Sequence, residues 1–507
     1  MSFSKRRAQL PEQPDLIIII TDQERATQHF PENWETTNLK TMTFLKENGF
    51  SFNRAFCNSC MCSPSRATLF TGTYPAHHGV TQTLTWGGRY SDAEITLDPS
   101  LFNMARMLQE EGYDVQYRGK WHLNKGDTEN DLSASQIALT GFQGWVAPDA
   151  GEDVKPENFG GGYANHDEMY IKQGTEYLKK VREQRASGAD RVPYCLVLSL
   201  VNPHDVLAYP NGTDYGYYES DWSSREIHLP KSVTEDLLKN NKPMAQFQIQ
   251  KFAGKLLGAL PTREDKLNYI NFYGHTLKKI DGQIGEFIDE LYKATNGKKL
   301  ANDAVVIRLS DHGEMGMAHG GMRQKAFNAY EETLRVPMVI SNPILFPKDD
   351  DKVLKSSDNL ASLIDIMPTI AALVGIKKPA KSLQGKNLVP IMRDNTEVQE
   401  SIMFTFDDTK ASSADVPSAV FAANRVRSIR TKTWKYTYYF HALGSYPTEY
   451  ELYNLEKDPD EMHNLIDSKV KAIVTKKEEL AALLKESEEK LLKYPNVEAM
   501  IDMVSNL

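Results

Sequence analysis

Leu16-Ile17-Ile18-Ile19-Ile20-Thr21-Asp22-Gln23, residues 16–23, is a run of five aliphatic side chains followed by a hydroxyl, a carboxylate and an amide. Four consecutive isoleucines favour extended backbone. Because no polar residue alternates with them, both faces of the strand need cover. Three later stretches repeat the design. Residues 114–118 run into Gly119-Lys120-Trp121-His122. Residues 194–201 run into Asn202-Pro203-His204-Asp205. Residues 304–309 run into Ser310-Asp311-His312-Gly313. Each reads as a buried parallel strand that ends in polar chemistry.

Helical patterns lie between these strands. One covers residues 100–111, with Ser100 as cap and Gly112 as stop. Others cover about 166–185 and 263–293. Alternating strands and helices predict an α/β fold, a doubly wound and mostly parallel sheet covered on both faces. A further strand is expected at 336–341, and a helix over 360–374 interrupted at Pro368. After about residue 400 the texture changes. Residues 428–440 are rich in threonine and aromatics, as antiparallel strands are, and 451–455 read as another strand. Residues 469–493 form a charged amphipathic helix. The expectation is a large α/β domain over 1–400 and a smaller C-terminal α+β subdomain over 401–507. There is no internal repeat and no low-complexity segment.

The 507 residues are 40% hydrophobic and 25% charged, with a formal net charge of -9. That is ordinary for a globular protein. An acidic chain without clustered Lys and Arg is not a general nucleic-acid binder. The first apolar run, residues 16–20, is too short for a signal-peptide core or a membrane span, and no other stretch approaches one. No membrane association and a cytoplasmic location are therefore expected. Four cysteines, three of them within six residues, make a poor disulfide framework. Cys57 and Cys60 have C-x-x-C spacing without a second pair, and read as buried thiols near a site.

In a parallel sheet the four strand ends share one edge, where ligand sites form. Asp22, Asp311 and His312 there have the types and placement of metal ligands. Carboxylates suit Ca²⁺ or Mg²⁺, and the imidazole tilts the choice toward Mn²⁺ or Zn²⁺. Any one of these residues alone is more simply a turn or cap residue; the signal is the agreement of four strand ends.

Cys62-Ser63-Pro64-Ser65-Arg66-Ala67-Thr68-Leu69-Phe70-Thr71-Gly72 is the most informative segment. Ser63 fits an N-cap, Pro64 the first helical position and Gly72 the stop. Cys62 is thereby held at a helix N-terminus, which favours anions. Arg66, one turn on, can face back toward it. A plain reactive cysteine would also suit this position.

Cys62-Ser63-Pro64-Ser65-Arg66, with the Ala-Thr-Leu-Phe-Thr-Gly and Tyr74-Pro75 that follow, resembles the C-x-P-S-R motif of the formylglycine-dependent sulfatases of the alkaline phosphatase superfamily. Gly119-Lys120-Trp121-His122, Asn202-Pro203-His204 and Ser310-Asp311-His312-Gly313 are similar to further family elements, in the same order. Lys325, ahead of Tyr330-Glu331-Glu332 and Arg335-Val336-Pro337, sits where the family has its second active-site lysine. Leu452-Tyr453-Asn454-Leu455, Asp458-Pro459 and Asn464-Leu465 resemble its C-terminal subdomain. The resemblance covers nearly the whole chain and implies an alkaline-phosphatase-like fold. Two positions depart from the common pattern: Asp22-Gln23 replaces two aspartates, and Asp311-His312 replaces Asp-Asn. The combination resembles a subgroup of choline sulfatases and phosphonate monoester hydrolases.

The resemblance implies a mechanism. Cys62, oxidised by a separate formylglycine-generating enzyme, becomes the nucleophile as a hydrated aldehyde. Asp22, Asp311, His312 and residue 62, with Gln23 as a further candidate, hold one divalent cation, with Ca²⁺ or Mn²⁺ ahead of Mg²⁺ or Zn²⁺. His204, aided by Lys325, protonates the leaving alcohol. Lys120 and Arg66 stabilise the developing charge. His122 takes a proton from the second hydroxyl. The implied activity is hydrolysis of a small anionic alkyl or aryl sulfate ester, with a phosphonate monoester or phosphodiester as the alternative substrate on the same site. A silent binding protein and a metal-free cysteine enzyme are the competing classes. His77 and His78 receive no role. Trp86, Tyr90 and Trp121 fit a pocket lining or the core, the core being favoured. The helix over 469–493 can cover its own domain or meet a second subunit, and a homo-oligomer is slightly favoured.

Overall fold

The computed structural model describes residues 1–85, 94–126, 132–150, 166–210, 226–377, 379–408 and 420–492. Trp86 and Tyr90 lie outside the described residues. In chain order the main strands of the large sheet are β1 (Asp15–Asp22), β2 (Gly49–Phe56), β3 (Asp114–Gly119), β4 (Tyr194–Pro203), β5 (Ala304–Ser310), β6 (Met338–Ser341) and β7 (Ser356–Ser362). Their spatial order is β7-β2-β6-β5-β1-β4-β3, with a two-residue strand, Arg335–Val336, beside β2. β1 pairs in parallel with β4 and β5, and β4 with β3. β6 runs antiparallel to both β5 and β2.

Every residue of β1 is buried, and the period of two sorts its side chains by face. Leu16, Ile18 and Ile20 join one apolar core; Ile17 and Ile19 join another on the opposite face. The helices supply the cover. α1 (Cys62–Thr71), α2 (Met104–Glu110) and, later in the chain, α5 (Ile366–Leu373) pack on the first face. α3 (His166–Ala186) and α4 (Arg263–Tyr292) pack on the second. α4 starts at a Thr262–Asp265 capping box and buries Ile270, Leu277, Ile284 and Leu291 along one stripe. The doubly wound, mostly parallel architecture is as expected.

Several local expectations need correction. The helix expected from Ser100 starts at Met104, because the Asn103 side chain accepts from the Ala105 and Arg106 amides; Ser100 instead bonds to Asp98. Residues 360–362 finish β7 rather than start a helix. Pro368 sits in the first turn of α5, where its missing N–H costs nothing. α1 begins at Cys62 with Met61 as cap, and Ser63 Oγ accepts from the Leu84 amide instead of capping. The strand expected at 336–341 breaks at Pro337. β2 and β7 were not anticipated.

A second, four-stranded antiparallel sheet forms a C-terminal subdomain from β8 (Ser401–Asp407), β9 (Arg425–Thr431), β10 (Trp434–Phe440) and β11 (Glu449–Asn454). α6 (Lys471–Leu491) lays Leu480 and Leu484 against Ile429, Tyr436 and Leu452. β8 reaches back to the loop before α1: the Thr405 amide donates to the Asn58 carbonyl at 2.9 Å. Among the described residues, no helix is long and apolar enough to cross a membrane.

Candidate active site

Parallel pairing of β1 with β5 sets Thr21 beside Ser310, so Asp22 and Asp311 emerge next to each other. α1 points its N-terminus at them. His312 Nε2 lies 3.2 Å from Cys62 Sγ, 3.7 Å from Asp22 Oδ1 and 3.6 Å from Asp311 Oδ1. Cys62 Sγ is 3.5 Å from Asp22 Oδ1. Arg66, one turn along α1, turns back as expected: its Nη2 donates to Asp22 at 3.0 Å and its Nε to Asp311 at 2.9 Å. Its third arm donates to Ser199 Oγ at 2.6 Å. Lys120, after β3, places Nζ 2.7 Å from Asp22 Oδ2.

His204 and Lys325 complete the group. The His204 ring is hydrogen-bonded to the Cys62 thiol. Lys325 Nζ donates to Gln23 Oε1 at 2.5 Å, and Gln23 Nε2 donates to Glu314 at 2.6 Å. The Gln23 amide thus bridges Lys325 to Glu314, a lining role, whereas its backbone N–H donates to Asp311 Oδ1. His122 stands a step back. Its Nε2 meets the Leu84 carbonyl at 2.8 Å, and the Leu84 amide bonds to Ser63. Trp121 is core, stacked on Phe70. Cys57 and Cys60 are buried, their thiols donating to the Thr333 and Lys325 carbonyls.

Glu314 and Ser199 escaped the sequence reading. Glu314 follows Asp311-His312-Gly313 directly, so its position was legible. Its role was not, because its side-chain partners Gln23 and Tyr269 are distant in sequence. Ser199 lies inside an apolar strand, and nothing local marks it.

Charge is dense and unsolvated here. Burial and Asp22 push the Cys62 thiol up, but Lys325, Lys120 and His312 outweigh them and hold it well below its usual range. Burial likewise opposes ionisation of Asp22, and Lys120, His204, Arg66 and His312 overcome it, holding its carboxyl well below the ordinary value. Asp311 goes the other way: burial and the neighbouring Asp22 push it up to about 6. Two carboxylates share this space, and a cation between them would relieve the repulsion. One oxygen, nitrogen or sulfur atom from each of Asp22, Cys62, Asp311 and His312 lies within 4.8 Å of all the others, and all four residues are buried. Two carboxylates and an imidazole fit a divalent cation.

Residues 14–376 match the Sulfatase family. The chain belongs to the sulfatase family. Residues 319–490 match the C-terminal family of N-sulphoglucosamine sulphohydrolase. Arylsulfatase K of Mus musculus is 23% identical over 511 residues, spanning 98% of this chain and 82% of its own. A solved 2-O GAG sulfatase superposes with a TM-score of 0.70 at 21% identity, over 94% of this chain and 92% of that one. A phosphonate monoester hydrolase from Silicibacter pomeroyi superposes with 0.67 at 17% identity, over 94% and 96%. This sulfatase is a sulfuric ester hydrolase, and the alkaline-phosphatase-like fold expected from its motifs holds.

Proposed function

We propose that this sulfatase cleaves sulfate monoesters of sugar alcohols, with Cys62, converted to formylglycine, as nucleophile. The supporting observation is the geometry of the cleft: Asp22, Cys62, Asp311 and His312 form one donor set, ringed by Arg66, Lys120, Lys325 and His204. A divalent cation on that set, Ca²⁺ or Mn²⁺ by its mixed donors, would hold the ester's anionic oxygens and lower the pKa of a hydroxyl at position 62. Lys120 and Arg66 neutralise the two aspartates and meet charge developing on the sulfuryl group.

A sugar alkoxide is a poor leaving group and needs a proton as the bond breaks. His204, hydrogen-bonded to the Cys62 thiol, is the proposed donor. Burial, Lys120 and Lys325 push its ring down to about 4, so it parts with a proton readily. An anionic ester seated among those lysines offsets their repulsion and lets the ring take up the proton it will give. The sugar class is supported by the match to the N-sulphoglucosamine sulphohydrolase C-terminal family and the likeness to a 2-O GAG sulfatase. A second reading, phosphonate monoester or phosphodiester hydrolysis, is favoured by Gln23 and His312, which depart from the common family pattern, and by the likeness to a phosphonate monoester hydrolase.

The test is a parallel rate assay on a monosaccharide sulfate, an aryl sulfate, an aryl phosphonate and a phosphodiester. Chain co-produced with a formylglycine-generating enzyme is compared with Cys62→Ala, and peptide mass spectrometry reports the state of residue 62. Sulfate esters should dominate, chelation should abolish turnover, and Cys62→Ala should be inactive. Faster phosphorus esters would move the assignment to the second reading. An unmodified but active Cys62 would remove the aldehyde from it.

A further inference from the structure

Two carboxylates behind the cleft have no part in the chemistry above. Asp167, in the first turn of α3, is 1% exposed. It accepts from the Val201 amide at 2.7 Å, the Asn202 amide at 2.9 Å and Asn202 Nδ2 at 3.0 Å. Asp149 accepts from the Trp121 and His122 amides, each at 2.8 Å. Both lie in the connection from β3 to β4. Tyr170, almost one turn after Asp167, donates its hydroxyl to the carbonyl of Pro148, beside Asp149, at 3.0 Å. One stretch of chain therefore grips both turns that deliver cleft residues: Lys120 and His122 after β3, His204 after β4.

The grip has a physical cause. A strand that leaves its sheet strands its last N–H groups, and a buried N–H without a partner is costly. Neutral side chains could satisfy them singly. A carboxylate takes two adjacent N–H groups at once and fixes the direction in which the turn departs. Those charge-assisted bonds are also stronger than neutral ones. His204 is two residues past Asn202, with only Pro203 between, so little freedom remains between the clamp and the ring. The Asn202 side chain, held by Asp167, also reaches Asp205 at 3.3 Å, which fixes the far side of the same turn.

We propose that Asp167 is a positioning residue for His204, setting its ring against the leaving oxygen, and that Asp149 does the same for Lys120 and His122. The proposal rests on the sulfatase reading above. It separates from a merely structural role through the leaving group. A sugar alcohol cannot depart without the His204 proton, whereas 4-nitrophenolate can. A displaced His204 therefore penalises the first ester and spares the second. A displaced Lys120 penalises both, because it acts on the sulfuryl charge.

The experiment measures kcat/KM for a monosaccharide sulfate and for 4-nitrophenyl sulfate. It uses the full chain co-produced with a formylglycine-generating enzyme, as wild type, Asp167→Asn, Asp149→Asn, His204→Ala and the Asp167→Asn/His204→Ala pair. Asparagine keeps the shape but sets an amide N–H against one of the donors. Asp167→Asn should lose at least about tenfold on the sugar ester and less than about threefold on the aryl ester, the scale of a small misplacement of a catalytic group. The same substitution in the His204→Ala background should add no further selectivity. Asp149→Asn should lower both esters by a similar factor. Equal losses on both esters in Asp167→Asn, or selectivity that persists without His204, would overturn the positioning role and leave the sulfatase reading intact. A wild type inactive on both esters would overturn that reading and this proposal together. Should Asp167→Asn not fold, Asn202→Ala removes one of the three bonds and should show the same selectivity at smaller size; an unchanged ratio there counts against the proposal.

Discussion

Glu332 is buried between two histidines, 2.6 Å from His29 Nε2 and 3.9 Å from His319 Nε2. Burial alone would push its carboxyl up. The His29 bond, with the charges of His29, His319 and Arg25, reverses that and holds it well below the usual range. A depressed carboxyl contributes stability above its unfolded pKa, roughly 4.3, and that contribution is lost as pH falls toward the folded value. Glu332→Gln should therefore cost about 1.5–3 kcal/mol at pH 7, the worth of a hydrogen bond to a charged group. The gap to wild type should narrow in urea titrations run below the unfolded pKa. A gap that widens as pH falls below the unfolded carboxyl pKa would contradict this account. Residues of this kind were not legible beforehand, because their meaning lies in partners such as His29, about three hundred positions away. Cys62, Asp22 and Asp311 were legible because each sits at the end of an element whose direction its own neighbours dictate. Gln23 shows the limit. Its place after β1 was plain, but the lysine its amide oxygen accepts from is 302 residues distant.

The helix that carries Cys62 is the element on which the cleft depends most, and its stability comes from its far side. All ten residues of α1 are buried. Phe70 packs edge-on against Tyr117 and Phe142, with ring centroids 5.9 and 5.2 Å away, and stacks near Trp121 at 6.2 Å. Tyr117 and Trp121 belong to β3 and the turn carrying Lys120, so one aromatic cluster sets the separation between two cleft elements. Phe70→Ala should cost about 3–5 kcal/mol, measured as a lower urea midpoint with unchanged slope. It should also slow turnover before it unfolds the chain; unaltered kinetics in the folded variant would show that the cluster does not set this distance. The strands of the sheet centre were readable from their apolar runs. β2 was overlooked, although Phe50-Ser51-Phe52-Asn53 alternates apolar and polar with the period of a strand; the alternation is only four residues long and is followed by Arg54, near the edge of the sheet. β7 failed for a different reason. Its Leu360 and Ala361 continue smoothly into the apolar helix after it, and only pairing with β2 decides where strand ends and helix begins.

At the scale of the molecule, the two sheets are joined by buried charge. Lys435 of β10 is 1% exposed and meets Glu461 at 2.8 Å and Glu331 at 3.0 Å, while Arg430 of β9 holds Glu331 at 3.0 Å. Tyr330 donates toward Glu451 of β11 across the same junction. Lys435→Met leaves the Glu461 carboxyl, which burial pushes up to about 8, without its cation in a dry interface while Arg430 still holds Glu331, and should cost about 1–3 kcal/mol. Calorimetry of the wild type should show one cooperative transition, since neither sheet keeps this network satisfied alone. Two separated transitions would mean the sheets fold independently.

The contact between Thr405 and Asn58 has a consequence in time. Residues 22, 62, 120, 204, 311 and 325 must all have left the ribosome before the cleft can form, and the strand that closes over its nucleophile loop comes later still. In the folded chain none of the Cys62 surface is exposed. We expect a protein-sized enzyme that acts on this side chain to meet it before folding is complete, and folded chain offered to such an enzyme should stay unmodified by peptide mass spectrometry.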